Sequence, residues 1–187
     1  TKVYKPSEFH RQNANPIGNQ THFIAGDKDG NVFFDSDQSL IRYDIQTQKF
    51  SCLRKSNVYT VASIKGTIWV GIADSILTWN PDKNDFDFVT RLENRNQRAT
   101  CLLEDSGGRY WIGTTDGLFR MNDDKSLTCM IMGEDIYDLY EDSKYNLWIS
   151  IRMNGMYKRD VHGNFTRYRY DPSNPNNISS NQVRDFV

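Results

Sequence analysis

Glu104-Asp105-Ser106-Gly107-Gly108-Arg109-Tyr110-Trp111-Ile112-Gly113-Thr114-Thr115-Asp116-Gly117-Leu118-Phe119-Arg120-Met121-Asn122 contains two turns and two strands. Asp105 to Gly108 has turn chemistry, and Tyr110 to Ile112 is aromatic and β-branched. Thr115-Asp116-Gly117 is a second turn, after which Leu118 to Met121 is again mostly apolar. The unit reads as a β-hairpin anchored by a tryptophan.

Working outward, the same order recurs along the chain. Equivalent aromatics stand at Phe33, Trp69, Trp111 and Trp148, roughly 40 residues apart, which is the period of four-stranded propeller blades. Each hairpin is followed by a third short run (Leu40 to Asp44, Ile76 to Asn80, Leu118 to Asn122, Met156 to Asp160). A fourth follows it at Lys49 to Leu53, Phe86 to Thr90, Leu127 to Ile131 and Phe165 to Tyr170. Short, evenly spaced strands separated by turn residues mark a radial β architecture. No stretch of ten residues shows a 3.6 period, so almost no helix is expected. The expected fold is all-β, a β-propeller segment of about four four-stranded antiparallel blades with flanking partial blades. Residues 1–20 would be an outer strand of a preceding blade and a linker. Blades would follow at 21–57, 58–98, 99–135 and 136–182, with 183–187 opening the next. Such a segment has edges that need a partner, either further blades of a longer parent chain or a second copy.

Composition narrows the function classes. The 187 residues carry 23 Lys and Arg against 24 Asp and Glu, and no basic stripe offers a phosphate-binding surface, so nucleic acid is not an expected partner. No apolar run approaches the roughly 20 residues that span a bilayer, so no membrane contact is expected of this segment. Cys52, Cys101 and Cys129 are too irregularly spaced for a zinc site or a disulfide scaffold, and read as small buried hydrophobes.

The copy with Glu104-Asp105, Trp111-Ile112-Gly113-Thr114 and Gly117-Leu118 closely resembles the two-component regulator propeller repeat. The fourth copy repeats it as Glu141-Asp142, Leu147-Trp148-Ile149 and Gly155-Met156. The second departs from it, with Ser63-Ile64 in place of Glu-Asp and Ile72 where Thr is usual. That family builds the periplasmic sensor region of Bacteroidetes hybrid two-component system histidine kinases. The resemblance implies seven-bladed propellers outside the inner membrane, periplasmic localisation, and signal transduction in response to oligosaccharides. The alternative is a propeller scaffold for protein contact or receptor dimerisation.

Catalysis has little to rest on. His10, His22 and His162 lie apart with no ligand-spaced partner, and no nucleophile elbow or phosphate loop occurs, so neither an enzyme nor a metal or other cofactor is expected. Neighbouring carboxylates on a strand point to opposite faces, so Asp105 and Asp142 read as turn formers accepting backbone N–H bonds. Asp27-Lys28-Asp29-Gly30-Asn31 lacks the spacing of an EF-hand and reads as a hairpin turn. The four aromatics could stack a sugar, but recurrence in every copy makes them blade anchors. A ligand would meet the turns between second and third strands and the crossings between blades, which share one face. There Thr115 and Asp116 are candidates, as are Asn96 and Arg98 within Asn94 to Arg98. Arg152 and Asn154, where Ser150 to Asn154 departs from the repeat, complete the set.

Overall fold

The computed structural model describes residues 20–94, 96–174, 176–184 and 186. The described residues contain sixteen strands and no helix. The first sheet consists of β1 (Ile24–Gly26), β2 (Val32–Ser36), β3 (Ser39–Asp44) and β4 (Lys49–Arg54), and the second of β5 (Val58–Ile64), β6 (Thr67–Ile72), β7 (Ser75–Asn80) and β8 (Asp85–Arg91). The third contains β9 (Ala99–Glu104), β10 (Tyr110–Thr114), β11 (Gly117–Met121) and β12 (Leu127–Met132), and the fourth β13 (Ile136–Glu141), β14 (Leu147–Ile151), β15 (Met156–Arg159) and β16 (Phe165–Tyr168). Every sheet is an antiparallel meander with its strands in chain order. The chain clusters into two compact units, Thr1–Arg91 and Leu92–Val187, each holding two sheets.

In the first unit Phe33, Leu40, Val58, Val61, Ile68, Val70, Ile72, Trp79 and Phe86 form one buried cluster. The rings of Phe33 and Trp79 lie 5.3 Å apart and those of Trp79 and Phe86 5.1 Å apart, both edge-on. Such pairs add about 0.5–1.5 kcal/mol each to the burial of their area. The turn joining β5 to β6 is only Lys65-Gly66, with φ of 50° and 75°, the two-residue form that matches strand twist. It is locked by Lys28 N–H, which donates to Gly66 O at 2.9 Å.

In the second unit Trp111, Leu118, Ile136, Leu139, Leu147, Ile149 and Ile151 make the core. Gly113 sets the spacing of its two sheets. A Cβ there would run into Cys101 Sγ and come within 2.7 Å of Ile136, so only glycine lets β10 approach β13 this closely. Thr100 Oγ1, on β9, ties the two sheets by donating to Ile136 O on β13 at 2.6 Å.

Several details differ from the expectation for physical reasons. β1 begins at Ile24 because the buried Asp35 carboxylate accepts from His22 and Phe23 N–H, replacing ladder partners. His22 is thereby fixed, with Nδ1 2.9 Å from Asp35 Oδ2, and is no random surface histidine. β16 ends at Tyr168 because Tyr170 N–H turns to Asn181 Oδ1. Cys129 is exposed, not buried. Val183, Arg184 and Phe186 carry no strand, although the Phe186 ring stacks 6.0 Å from Tyr140. The expected outer strand within residues 1–19, together with His10, Arg95, Pro175, Asp185 and Val187, lies outside the described residues.

Candidate functional site

Three of the four anchors are buried: Phe33, Trp69 and Trp111. Trp148 is half-buried, stacked on Tyr168 at 5.9 Å with Lys158 Nζ 5.5 Å from its ring centroid. In the second unit the turn aspartates do more than close turns. Asp105 accepts from Arg109 N–H at 2.9 Å and, through Oδ2, from the Trp111 indole at 2.8 Å. Asp142 does the same with Asn146 N–H at 2.9 Å and the Trp148 indole at 2.8 Å. Burial alone would raise both carboxyls, but these donated bonds, the indole first, outweigh it and hold both below the ordinary aspartate range. The spacing Asp to Trp, six residues on in both copies, was visible in the sequence as a pairing of turn and anchor.

Asp27 likewise spends its carboxylate on its own turn, accepting from Asp29 N–H at 3.0 Å and Asn31 N–H at 2.8 Å. Glu141, adjacent to Asp142, points elsewhere: it accepts from Ser106 N–H at 2.7 Å and Ser106 Oγ at 3.0 Å. The carboxylate pair therefore serves two structural jobs.

The sequence candidates of the second unit gather at the end of its sheets that carries the second-to-third turns. Thr115 N–H donates to Arg98 O at 3.1 Å and Gly133 N–H to Asp116 O at 2.9 Å, so the crossing before each sheet is stitched to a neighbouring turn. Arg98 turns its guanidinium back to Asn96 O at 2.7 Å. In the fourth sheet Arg152 Nε lies 2.7 Å from Asp135 Oδ2, and its guanidinium sits 5.0 Å over the Tyr137 ring. The Asn154 amide donates to Glu134 Oε2 at 2.7 Å, and Arg167 holds Glu134 Oε1 at 2.8 Å. Arg152 and Asn154 thus brace the Gly133 to Asp135 crossing, while Arg152, Asn96, Thr115 and Asp116 stay exposed.

Sequence reasoning missed three groups at this end. Gln97 Oε1, Asp135 Oδ1 and Ser150 Oγ are buried with no hydrogen-bond partner among the described residues. Gln97 is 5% exposed and Ser150 fully buried. Unpaired buried polar atoms are rare in native folds, since each forfeits about 1–3 kcal/mol of solvation. Ser150 stands where the third copy has Gly113, a departure legible in the sequence. The register shifts of β9–β10, β11–β12 and β13–β14 also fall at this end, where bulges re-aim backbone groups.

The fold is that of propeller-type domains. The extracellular domain assigned to a hybrid two component system from B. thetaiotaomicron superposes with a TM-score of 0.75 at 19% identity, covering 91% of this chain and 25% of that one. A second such domain from the same organism gives 0.72 at 20% identity, covering 90% and 24%. Virginiamycin B lyase from Staphylococcus aureus gives 0.65 at 16% identity, covering 83% and 57%. The chain spans about a quarter of the length of the two extracellular domains. No curated protein sequence matches it. Residues 95–116 match the family described as two component regulator propeller, so the chain carries a two-component regulator propeller repeat.

Proposed function

We propose that this chain is a non-enzymatic ligand-sensing segment of the extracytoplasmic region of a hybrid two-component sensor histidine kinase, and that its ligand is an oligosaccharide. The observation that carries the reading is the coincidence of the family match, residues 95–116, with the stitched loop end of the second unit. That end also holds the buried Gln97 Oε1, Asp135 Oδ1 and Ser150 Oγ, which have no hydrogen-bond partner among the described residues. Hydroxyl-rich ligands suit such a surface, because each offers both donors and acceptors to polar groups held on a rigid scaffold. The likeness to extracellular domains supports a periplasmic localisation. No helix among the described residues is long and apolar enough to cross a membrane.

A scaffold for protein contact or receptor dimerisation is the second reading. It is favoured by the engagement of Arg152 and Asn154 with Asp135 and Glu134, which makes them braces rather than free donors. Calorimetry against a panel of neutral and acidic oligosaccharides separates the two. Sensing predicts saturable binding to at least one member, weakened about tenfold in Arg152→Ala, the loss of one charged hydrogen bond. Unchanged affinity in that variant removes Arg152 from the site, and no binding across the panel favours the scaffold.

A further inference from the structure

The first strand of the fourth sheet carries an exposed ring that the packing of the fold does not use. β13 and β14 pair Ile136 with Ile151 and Asp138 with Ser150, so Tyr137 is the extra residue of a bulge. The same bulge recurs where β9 meets β10, with Thr100 between the paired Ala99 and Cys101, and where β5 meets β6, with Tyr59 between Val58 and Thr60. A bulge re-aims the side chain it carries. Thr100 turns that freedom inward, spending its hydroxyl on Ile136 O at 2.6 Å. Tyr137, directly after the Gly133 to Asp135 crossing, is left 37% exposed at the loop end.

The ring is clamped. Arg152 lays its guanidinium 5.0 Å from the ring centroid, the geometry of a cation–π contact. Arg152 is itself pinned twice to the crossing: its N–H donates to Asp135 O at 2.8 Å and its Nε to Asp135 Oδ2 at 2.7 Å. The rest of the turn is tied to the same crossing, because the Asn154 amide donates to Glu134 Oε2 at 2.7 Å while Arg167 holds Glu134 Oε1 at 2.8 Å. Tyr137 is therefore offered to solvent on a rigid mount, with the polar groups of Arg152, Asn154 and Glu134 on the turn and crossing beside it. A rigid aromatic has little conformational freedom left to lose when something stacks on it.

We infer that Tyr137 is the stacking platform of the sensing surface, taking the C–H face of a neutral pyranose unit, and that Arg152 is the positioning residue that holds the ring. A pyranose has an apolar C–H face and a hydroxyl edge, so an exposed ring with polar neighbours satisfies both sides of it. The inference rests on the sensing reading and adds to it a residue and a mode of contact. It also gives the Arg152–Asp135 pair a task other than direct contact with the sugar.

The test titrates the intact chain with cellotetraose, mannotetraose and xylotetraose, read by calorimetry and by the proton resonances of the sugar. At least one should bind with some of its C–H resonances moved upfield by the ring current of an aromatic face. Tyr137→Ala should abolish that upfield shift and weaken the binding about tenfold, the scale of losing one aromatic anchor. Tyr137→Phe should keep both, and Tyr145→Ala, which removes an exposed ring at the opposite end of the sheet, should change neither. Arg152→Ala should shrink the upfield shift, and Arg152→Lys, which keeps a cation for the ring, should recover it. A bound sugar with no upfield shift, or one held undiminished by Tyr137→Ala, overturns the assignment of Tyr137 and leaves the sensing reading standing. Absence of binding by all three sugars counts against the sensing reading and overturns this assignment with it.

Discussion

The second and third sheets are copies of one repeat and lead into their anchoring tryptophans through different turns. Before Trp69 the turn is the two-residue Lys65-Gly66, and Ile64, Ile68 and Val70 beside it are all buried. Its unit is knitted by the Phe33, Trp79 and Phe86 rings. Around Trp111 the turn is longer and built on Asp105, whose carboxylate joins the turn backbone, Arg109 and the indole in one network. The lesson is that the period of the repeat fixes where a strand falls, while the turn decides whether an aspartate is at hand for the anchor's indole. Of the two copies that hold a turn aspartate and a tryptophan together, the third is also the one that the family match covers.

The largest effect that probes this difference is truncation of the anchor. Trp111→Ala should cost about 3–5 kcal/mol, as expected for a large buried aromatic, and it additionally strands Asp105 Oδ2. Chemical denaturation followed by circular dichroism measures the loss. Phe33→Ala, which removes a fully buried ring with no polar tip, should fall in the same range without the added electrostatic loss. If Trp111→Ala were soluble and as stable as the parent, the assignment of Trp111 as an anchor would fail.

A smaller effect separates the two modes by pH. Asp105 and Asp142 have their folded values depressed, so their stabilisation is fully present above the unfolded aspartate value of about 4. It is lost as pH falls through the folded values. The second unit should therefore weaken progressively below about pH 4, with the indole N–H resonances of Trp111 and Trp148 moving along the same acid limb. Asp105→Asn keeps an acceptor but removes the titrating charge, and should abolish the Trp111 response while sparing that of Trp148. The Phe33, Trp79 and Phe86 ladder has no titrating member and should not follow that limb. An unaltered acid response of Trp111 in Asp105→Asn would refute the network.

Most of the strand framework was legible in the sequence, because a repeated period of turn residues and β-branched or aromatic runs leaves few alternatives. The starts and ends moved only where a side chain outbid the ladder, as Asp35 does at His22 and Phe23, and Asn181 does at Tyr170. What was not legible was partnership across sheets. Glu141 reaching Ser106, or Arg159 lying over Trp111, depends on how one copy sits against the next, and a single repeat does not encode that. At the loop end the sequence pointed to Arg152 and Asn154 by their departure from the pattern. Their engagement with Asp135 and Glu134 follows from the crossing folding back beside them, so their carboxylate partners went unseen. Ser150 was part of the same departure; only burial distinguishes it from an ordinary exposed serine.

The central claim, that the loop end of the second unit is the sensing surface, is tested most directly by amide hydrogen exchange with and without the tightest-binding oligosaccharide of the calorimetric panel. The account predicts slowed exchange concentrated in residues 96–98, 115–116, 133–135 and 152–154, with the Asp105–Arg109 and Asn122–Ser126 turns unchanged. Protection confined to those two turns, or spread without regard to either end, would contradict it.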